Sequence, residues 1–161
     1  SKYVQSLEPF FDSFDADFVT MRRVVRQILQ EEDELMEIVQ LVGRDSLAEQ
    51  DKLKLDVARI IREDYLQQDG YTEYDNTCPF YKTVGMMRNI VHYYTTAGEA
   101  LARSTAEHRI TWAKLKSSTH DVLYALTQMK YIMPDLPEHE VIAKLASLHQ
   151  EISTAFVNVE D

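Results

Sequence analysis

From Asp17 onward, Phe18, Met21, Val24, Val25, Ile28, Leu29, Leu35, Met36, Ile38, Val39 and Val42 recur at steps of three and four. That spacing marks one apolar face of an α-helix. Gly43 can stop it, so the pattern predicts a helix over 17–42, about 39 Å long at 1.5 Å per residue. Ahead of it, residues 1–16 carry Phe10, Phe11 and Phe14 among acids and Pro9 without helical period, and read as an N-terminal arm. A second helix is expected from Ser46, where Ser46-Leu-Ala-Glu49 has the form of a capping box. Its face is Leu47, Leu53, Val57, Ile60, Ile61 and Tyr65. The link from Gly43 to Ser46 allows only an antiparallel helical hairpin.

After residue 65 the helical pattern gives way. Of 16 aromatic residues, seven fall between Tyr65 and Tyr94. Gly70 can end one helix and Pro79 can open the next. A long aromatic loop between helices is unusual in a plain bundle, and reads as a plug for the core or as one wall of a pocket. A third helix is predicted from about Lys82 to Arg103. A fourth begins at Thr111 as N-cap and is bent or broken at Ser117-Ser118-Thr119. Met133-Pro-Asp-Leu-Pro137 forms a rigid link, and a fifth helix runs from about Glu138 to Phe156. No strand, internal repeat or low-complexity tract is read. The expected fold is all-α, a bundle of about five helices opening with a long hairpin, with 1–16 as arm and 17–161 as helical domain.

Charge narrows the partners. Lys and Arg number 17 against 27 Asp and Glu, a formal charge of −10. This argues against nucleic acid, which needs a basic face, and against a polybasic hold on anionic lipid. No apolar run approaches the ~20 residues of a membrane span. The only cysteine, Cys78, excludes an internal disulfide and fits a reducing compartment. The first residue is not Met, which fits a fragment of a longer chain. Much of the negative charge is at the hairpin end: Glu31, Glu32, Asp33, Glu34, Glu37, Asp45, Glu49 and Asp51 face Arg44 alone between residues 31 and 51. That tip reads either as a solvated helix end or as a surface meeting a basic or moving partner. A helical adaptor with an acidic docking tip is one reading of the whole chain.

No complete catalytic constellation is present. Lys82-Thr83 follows Pro79-Phe80-Tyr81 where a phosphate loop needs a glycine-rich run. His92, His108, His120, His139 and His149 include no pair at the four-residue spacing of a zinc helix. The acidic runs lack the glycine and closing glutamate of a calcium loop. No metal site is expected.

Longer stretches resemble one family. Glu63-Asp-Tyr-Leu-Gln-Gln68, Tyr74-Asp75 and Cys78-Pro-Phe-Tyr-Lys-Thr-Val84 look like the C-terminal helical domain of the catalytic A subunits of vacuolar-type rotary ATPases. Arg26-Gln-Ile-Leu-Gln30, Glu37-Ile-Val-Gln-Leu-Val-Gly43, Asp56-Val-Ala58, Ile110-Thr-Trp112, Val122-Leu-Tyr-Ala-Leu126 and Met129-Lys130 resemble the same domain. The resemblance covers nearly the whole chain in one register.

It implies that the phosphate loop, the catalytic glutamate and the site for ATP or ADP with Mg lie upstream of residue 1. The fragment alone should then be inactive and should hold no nucleotide tightly. It implies that Phe80 and Tyr65 are aromatic walls of an adenine pocket, with Gln67, Gln68 and Cys78 beside them. It implies that Arg44, Asp45, Ser46, Leu47, Ala48, Glu49, Gln50 and Asp51 contact the central rotor stalk. Ala48 and Gln50 replace usual acids, which fits a steric push better than specific ion pairs. The implied partners are the B subunits of the same ATPase, in an alternating hexamer, and the rotor subunits. The implied place is the cytoplasmic face of vacuolar or endosomal-type membranes, peripheral to them. The implied work is to carry ATP-driven movement to the rotor for proton pumping.

Overall fold

A computed structural model describes residues 8–66, 79–132, 135–157 and 159, with side chains from residue 17 onward. Gln67, Gln68, Gly70 and Cys78 lie outside the described residues, as do Met133 and Pro134. Six α-helices are described: α1 (Glu8–Val42), α2 (Glu49–Ile60), α3 (Phe80–Ala102), α4 (Trp112–Ser118), α5 (His120–Gln128) and α6 (Glu138–Val157). Among the described residues there is no strand. The all-α reading and the opening hairpin hold.

The first correction is at the N-terminus. The backbone is helical from Glu8, so the expected arm is helix over at least 8–16. Pro9 lies near the start of the described helix, and its fixed φ suits a helical backbone. α1 therefore has 35 residues, roughly 52 Å at the α-helical rise.

The second correction is at the start of α2. Ser46 does not cap it. Arg44–Ser46 forms a 3₁₀ turn, and Ser46 Oγ donates to Gly43 O at 2.7 Å. α2 begins three residues later, behind Ala48, with no side-chain cap. The detour has a cause in packing. Leu47 is buried with Leu35, Leu55 and Val39 in a small apolar cluster of its own. Turning the chain inward at Leu47 uncouples Ser46 from the helix. Gly43, at φ 89°, supplies the left-handed residue that ends α1.

α2 runs directly into a π turn, Ile61–Leu66. This wider turn keeps both Ile61 and Tyr65 buried. At Thr119 the predicted break appears. Thr119 Oγ1 and Ser118 Oγ donate back to Leu115 O and Lys114 O at 2.7 and 2.9 Å. Such back-bonding bends or ends a helix. Thr111 caps α4 as predicted, accepting from Lys114 N at 3.3 Å.

The main core draws on all six helices, from Met21, Val25 and Ile28 of α1 to Ile152 and Phe156 of α6. Tyr93, with no exposed surface, packs edge-on to Trp112 and Phe156 at 6.3 and 5.2 Å. Its hydroxyl is 2.8 Å from Thr119 Oγ1. Thr119 has given its proton to Leu115 O, so Tyr93 is the donor. Burial pushes the Tyr93 hydroxyl up to about 12, and it stays neutral.

Candidate functional site

The two regions singled out by the sequence lie on different elements. At the start of α3, Pro79 is the N-cap and Phe80 the first helical residue. Phe80 is 44% exposed although it is a large apolar ring. It is braced on one side by Phe18 of α1, edge to face at 5.4 Å and 66°. Arg22 lies over the Phe18 ring in turn, 5.6 Å from its centroid. Tyr65 differs: it is 9% exposed and belongs to the main core. The two rings expected to act alike are thus unlike. Phe80 offers surface, and Tyr65 backs the core from which that surface is built.

Lys82, the residue of the incomplete phosphate motif, is 1% exposed. Its Nζ donates to Ile132 O at 2.6 Å and Lys130 O at 3.2 Å. It ties α3 to the turn Met129–Tyr131. Beside it Lys130 Nζ meets Asp64 at 2.7 Å, joining that turn to the π turn. The segment entering the aromatic loop and the helix leaving it are therefore both tied to one short turn.

The hairpin end carries less free charge than the sequence suggested. Glu31 is paired with Lys54. Glu32 is buried against Arg62, which grips it with two donors at 2.9 and 2.8 Å. Glu49 pairs with Lys52 at 3.3 Å and Asp51 lies 4.0 Å from Lys54. Hydrogen bonds from Lys54 and Gln27 hold the Glu31 carboxyl below its usual range.

Within Arg44–Asp51 only Leu47 is buried, Glu49 and Asp51 are half-buried and the other five are exposed, yet most of the side chains are bonded within the fold. Arg44 reaches Asp56 at 3.0 Å. Asp56 also accepts from buried Trp112 Nε1 at 2.7 Å and meets Lys116 at 3.1 Å. Burial pushes the Asp56 carboxyl up, but Trp112, Lys116 and Arg44 together outweigh it and hold it below the ordinary value. Leu47 is buried. Gln50 Nε2 donates to Gly98 O of α3 at 2.9 Å. Of the five exposed residues among these eight, Asp45 and Ala48 have no side-chain contact of this kind among the described residues.

The sequence reading missed what does face outward here. Ile38, Leu41 and Val42 are 43, 85 and 65% exposed, and Met36 is 43% exposed. Met36, Ile38 and Val42 belong to the predicted core face. Only Leu35 and Val39 of this stretch have a covering cluster, because α2 starts too late to cover the last turn of α1. Large exposed apolar patches mark interaction surfaces. The signal of this one in the sequence was a stripe wider than one partner helix can cover.

Among the described residues no group of three or more His, Cys, Asp or Glu could hold a metal ion. None of their helices is long and apolar enough to cross a membrane. One histidine arrangement was not legible, since its members are far apart in sequence. His92 and His149 stack at 3.9 Å and 18° between α3 and α6, bonded to Ser153 Oγ at 2.8 Å and Asn89 Oδ1 at 3.2 Å.

Residues 7–110 match the family model described as the C-terminal domain of V and A type ATP synthase. Over its whole length the chain is 49% identical to isoform 1 of the V-type proton ATPase catalytic A subunit of Acetabularia acetabulum, of which it covers 27%. It is 46% identical to the V-type proton ATPase catalytic A subunit of Zea mays, covering 29%. It is 44% identical to the corresponding protein of Dictyostelium discoideum, covering 26%. The chain thus spans a little over a quarter of the length of these relatives.

Proposed function

The chain belongs to the family of C-terminal domains of V and A type ATP synthases, within the branch of V-type catalytic A subunits, and on that premise we propose how it serves a rotary ATPase. The observation that carries the reading is the match of all 161 residues to catalytic A subunits. That relationship does not favour a free-standing adaptor.

In the proposed mechanism this domain gives one aromatic wall of an adenine site whose phosphate, Mg and catalytic groups belong to the upstream part of the full-length protein. The exposed ring of Phe80 meets the purine by stacking, which tolerates many bases because it reads a π-face. Phe18 fixes that ring from behind. Gln67, Gln68 and Cys78 stay proposed as its neighbours, and Tyr65 supports rather than faces the base.

Movement at the nucleotide end is then carried to the hairpin. A conformational response needs a difference in contact between the open and closed states. The ties of Lys82, Lys130 and Asp64 make the loop's entry and exit move together. Close-packed helices pass on such a displacement. At the far end the rotor meets Ile38, Leu41, Val42, Asp45 and Ala48, while Arg44, Leu47 and Gln50 anchor the tip from inside. The B subunits, the rotor subunits and the cytoplasmic membrane face are the proposed surroundings, and proton pumping is the proposed outcome.

The test is Phe80→Ala in the full-length protein. Nucleotide affinity should fall by roughly 1–3 kcal/mol, the scale of one lost base–aromatic contact, and Phe80→Trp should retain it. Unchanged affinity for ATP and ADP in the alanine variant would remove the adenine-wall role.

A further inference from the structure

α3 and α6 run side by side in the same direction. Gly85 faces Leu145, Asn89 bonds Leu145 and His149, and His92 bonds Ser153. A Cβ on Gly85 would come within 2.6 Å of Leu145 Cδ1, so the glycine is what lets the two helices close here. Between them lies a cleft of about 280 Å³. Its lining runs from Tyr81 to Asn89 on α3 and from Glu138 to His149 on α6, about 12 and 17 Å at the helical rise. Its middle is apolar, formed by Val84, Leu145, Ala146 and Ile142, and Ile142 is 44% exposed. Its ends differ in charge. Glu138 stands at the Tyr81 end, and Arg88, Asn89 and His149 stand at the other.

The hydrogen bonds at that second end fix which groups a ligand would meet. Asn89 is 1% exposed, and its Nδ2 donates to Leu145 O at 3.0 Å. That turns Oδ1 to His149 Nδ1, 3.2 Å away, so Nδ1 is the ring nitrogen that carries the proton. His149 Nε2 then keeps a lone pair to which no donor is bonded among the described residues. Burial and Arg88 hold this imidazole below its ordinary value, and it is neutral at pH 7.

We propose that this cleft binds a monocarboxylic acid with an unbranched apolar chain, its head between Arg88 and His149 and its chain pointing toward Glu138. Apolar walls with a few convergent polar groups at one end are the usual make-up of a small-molecule site. A single ring would leave much of the cleft's length empty, whereas a chain fills it. Charge sets the direction, because a carboxylate is favoured beside Arg88 and opposed beside Glu138. A guanidinium has five N–H donors, so Arg88 serves the head group alongside the contacts it makes within the fold. The bare Nε2 would repel an ionised head, so one proton is taken up from solvent on binding and shared between the carboxylate and Nε2. The charged and titratable groups around that proton are few. From α3 they are Arg88, the stacked ring of His92, and Glu99 acting on His92. Glu138 is three turns away on α6, and Asp121 of α5 with Glu151 of α6 lines a separate cleft. The carboxylate offsets the repulsion between Arg88 and a protonated His149. The site takes no residue from the hairpin tip and does not use Phe80.

Titration of the 161-residue chain with octanoate, followed by amide NMR shifts, tests this. One octanoate should bind with a dissociation constant on the order of 1 mM or tighter at pH 6.5, and the shifts should concentrate in 84–89 and 142–149. Binding should weaken several-fold at pH 8, where the shared proton is harder to acquire. In His149→Gln, whose amide supplies a donor outright, that pH dependence should vanish. Arg88→Gln should weaken binding about tenfold or more. Ala146→Phe, at an exposed position, should fill the middle of the cleft and block it, with a far-UV spectrum checking that each variant stays helical. Octanol, with the same chain and no charge, should bind at least about tenfold more weakly. No saturable shift up to about ten times that constant overturns the proposal. Binding that Ala146→Phe leaves intact overturns it by placing the site elsewhere. Octanol bound as tightly as octanoate overturns the carboxylate reading, leaving an apolar slot that does not read the head group.

Discussion

Replacing Asp56 separates two kinds of interaction that meet on one carboxylate. Its Oδ2 takes a hydrogen bond from Trp112 Nε1 at 2.7 Å and ion pairs from Arg44 at 3.0 Å and Lys116 at 3.1 Å. Trp112 is 2% exposed, so removing the acceptor strands a buried N–H at roughly 1–3 kcal/mol. Arg44 and Lys116 are 42 and 49% exposed, so each pair is worth only about 0–1 kcal/mol. Asp56→Ala should therefore cost roughly 1–5 kcal/mol. Asp56→Asn keeps an oxygen for Trp112 and should cost about 1 kcal/mol or a little more. The measurement is urea unfolding followed by tryptophan fluorescence, which reads the only Trp in the chain. The acid limb gives a second check. The folded-state value of Asp56 is depressed below 3.8, so its contribution is present above that pH and is lost as the pH falls through the lower folded value. Asp56→Asn should lose that part of the acid dependence. Equal destabilisation by Ala and Asn would refute the argument, because it would place the energy in the charges and not in the satisfied indole.

Three further outcomes are expected. Burial, with His149 beside it, depresses His92; burial and Arg88 depress His149. Their contribution is present above 6.5 and is lost as the pH falls through the lower folded values, so the urea midpoint should drop between pH 7.5 and 5.5, less so in His149→Gln. Leu41→Ser with Val42→Ser should change stability by less than about 0.5 kcal/mol yet uncouple ATP turnover from proton transport in the assembled complex; unchanged coupling would remove the tip from the mechanism. Thr111→Ala should cost about 1 kcal/mol through the lost N-cap, read as a lower melting temperature.

The fold was legible because apolar spacing, Gly43, Thr111 and the Ser117–Thr119 break are local signals with local causes. The capping box at Ser46 failed because it competes with the burial of Leu47, which depends on Leu35 and Leu55 from two other segments. The same kind of error put Ile38 and Val42 in the core. Periodicity tells which residues share a face, but not whether a partner helix is long enough to cover it. Among the site residues, Phe80 and Tyr65 could be picked from the chain as a pair of rings. That one is exposed and the other enclosed follows from the π turn and from Phe18, neither of which a sequence motif encodes. The acids were overcounted as free charge for a related reason: Glu31 and Glu32 meet Lys54 and Arg62 across the hairpin, and Glu49 and Asp51 meet lysines at the three-residue helical spacing.

The π turn at Ile61–Leu66 amounts to one residue more than an α-helix would use over the same path. Such a surplus can be taken away. Deleting a single residue there would let the chain continue as ordinary helix with every backbone bond made, while everything beyond it turned by about 100° and drew back by about 1.5 Å. Tyr65 would leave its enclosed place, and Asp64 would lose its line to Lys130. A chain shortened by one residue would remain helical in its spectrum and yet lose the register that Tyr65 and Asp64 now hold. At this point the length of the chain, more than the identity of any side chain in it, sets which residues reach the core and which reach Lys130.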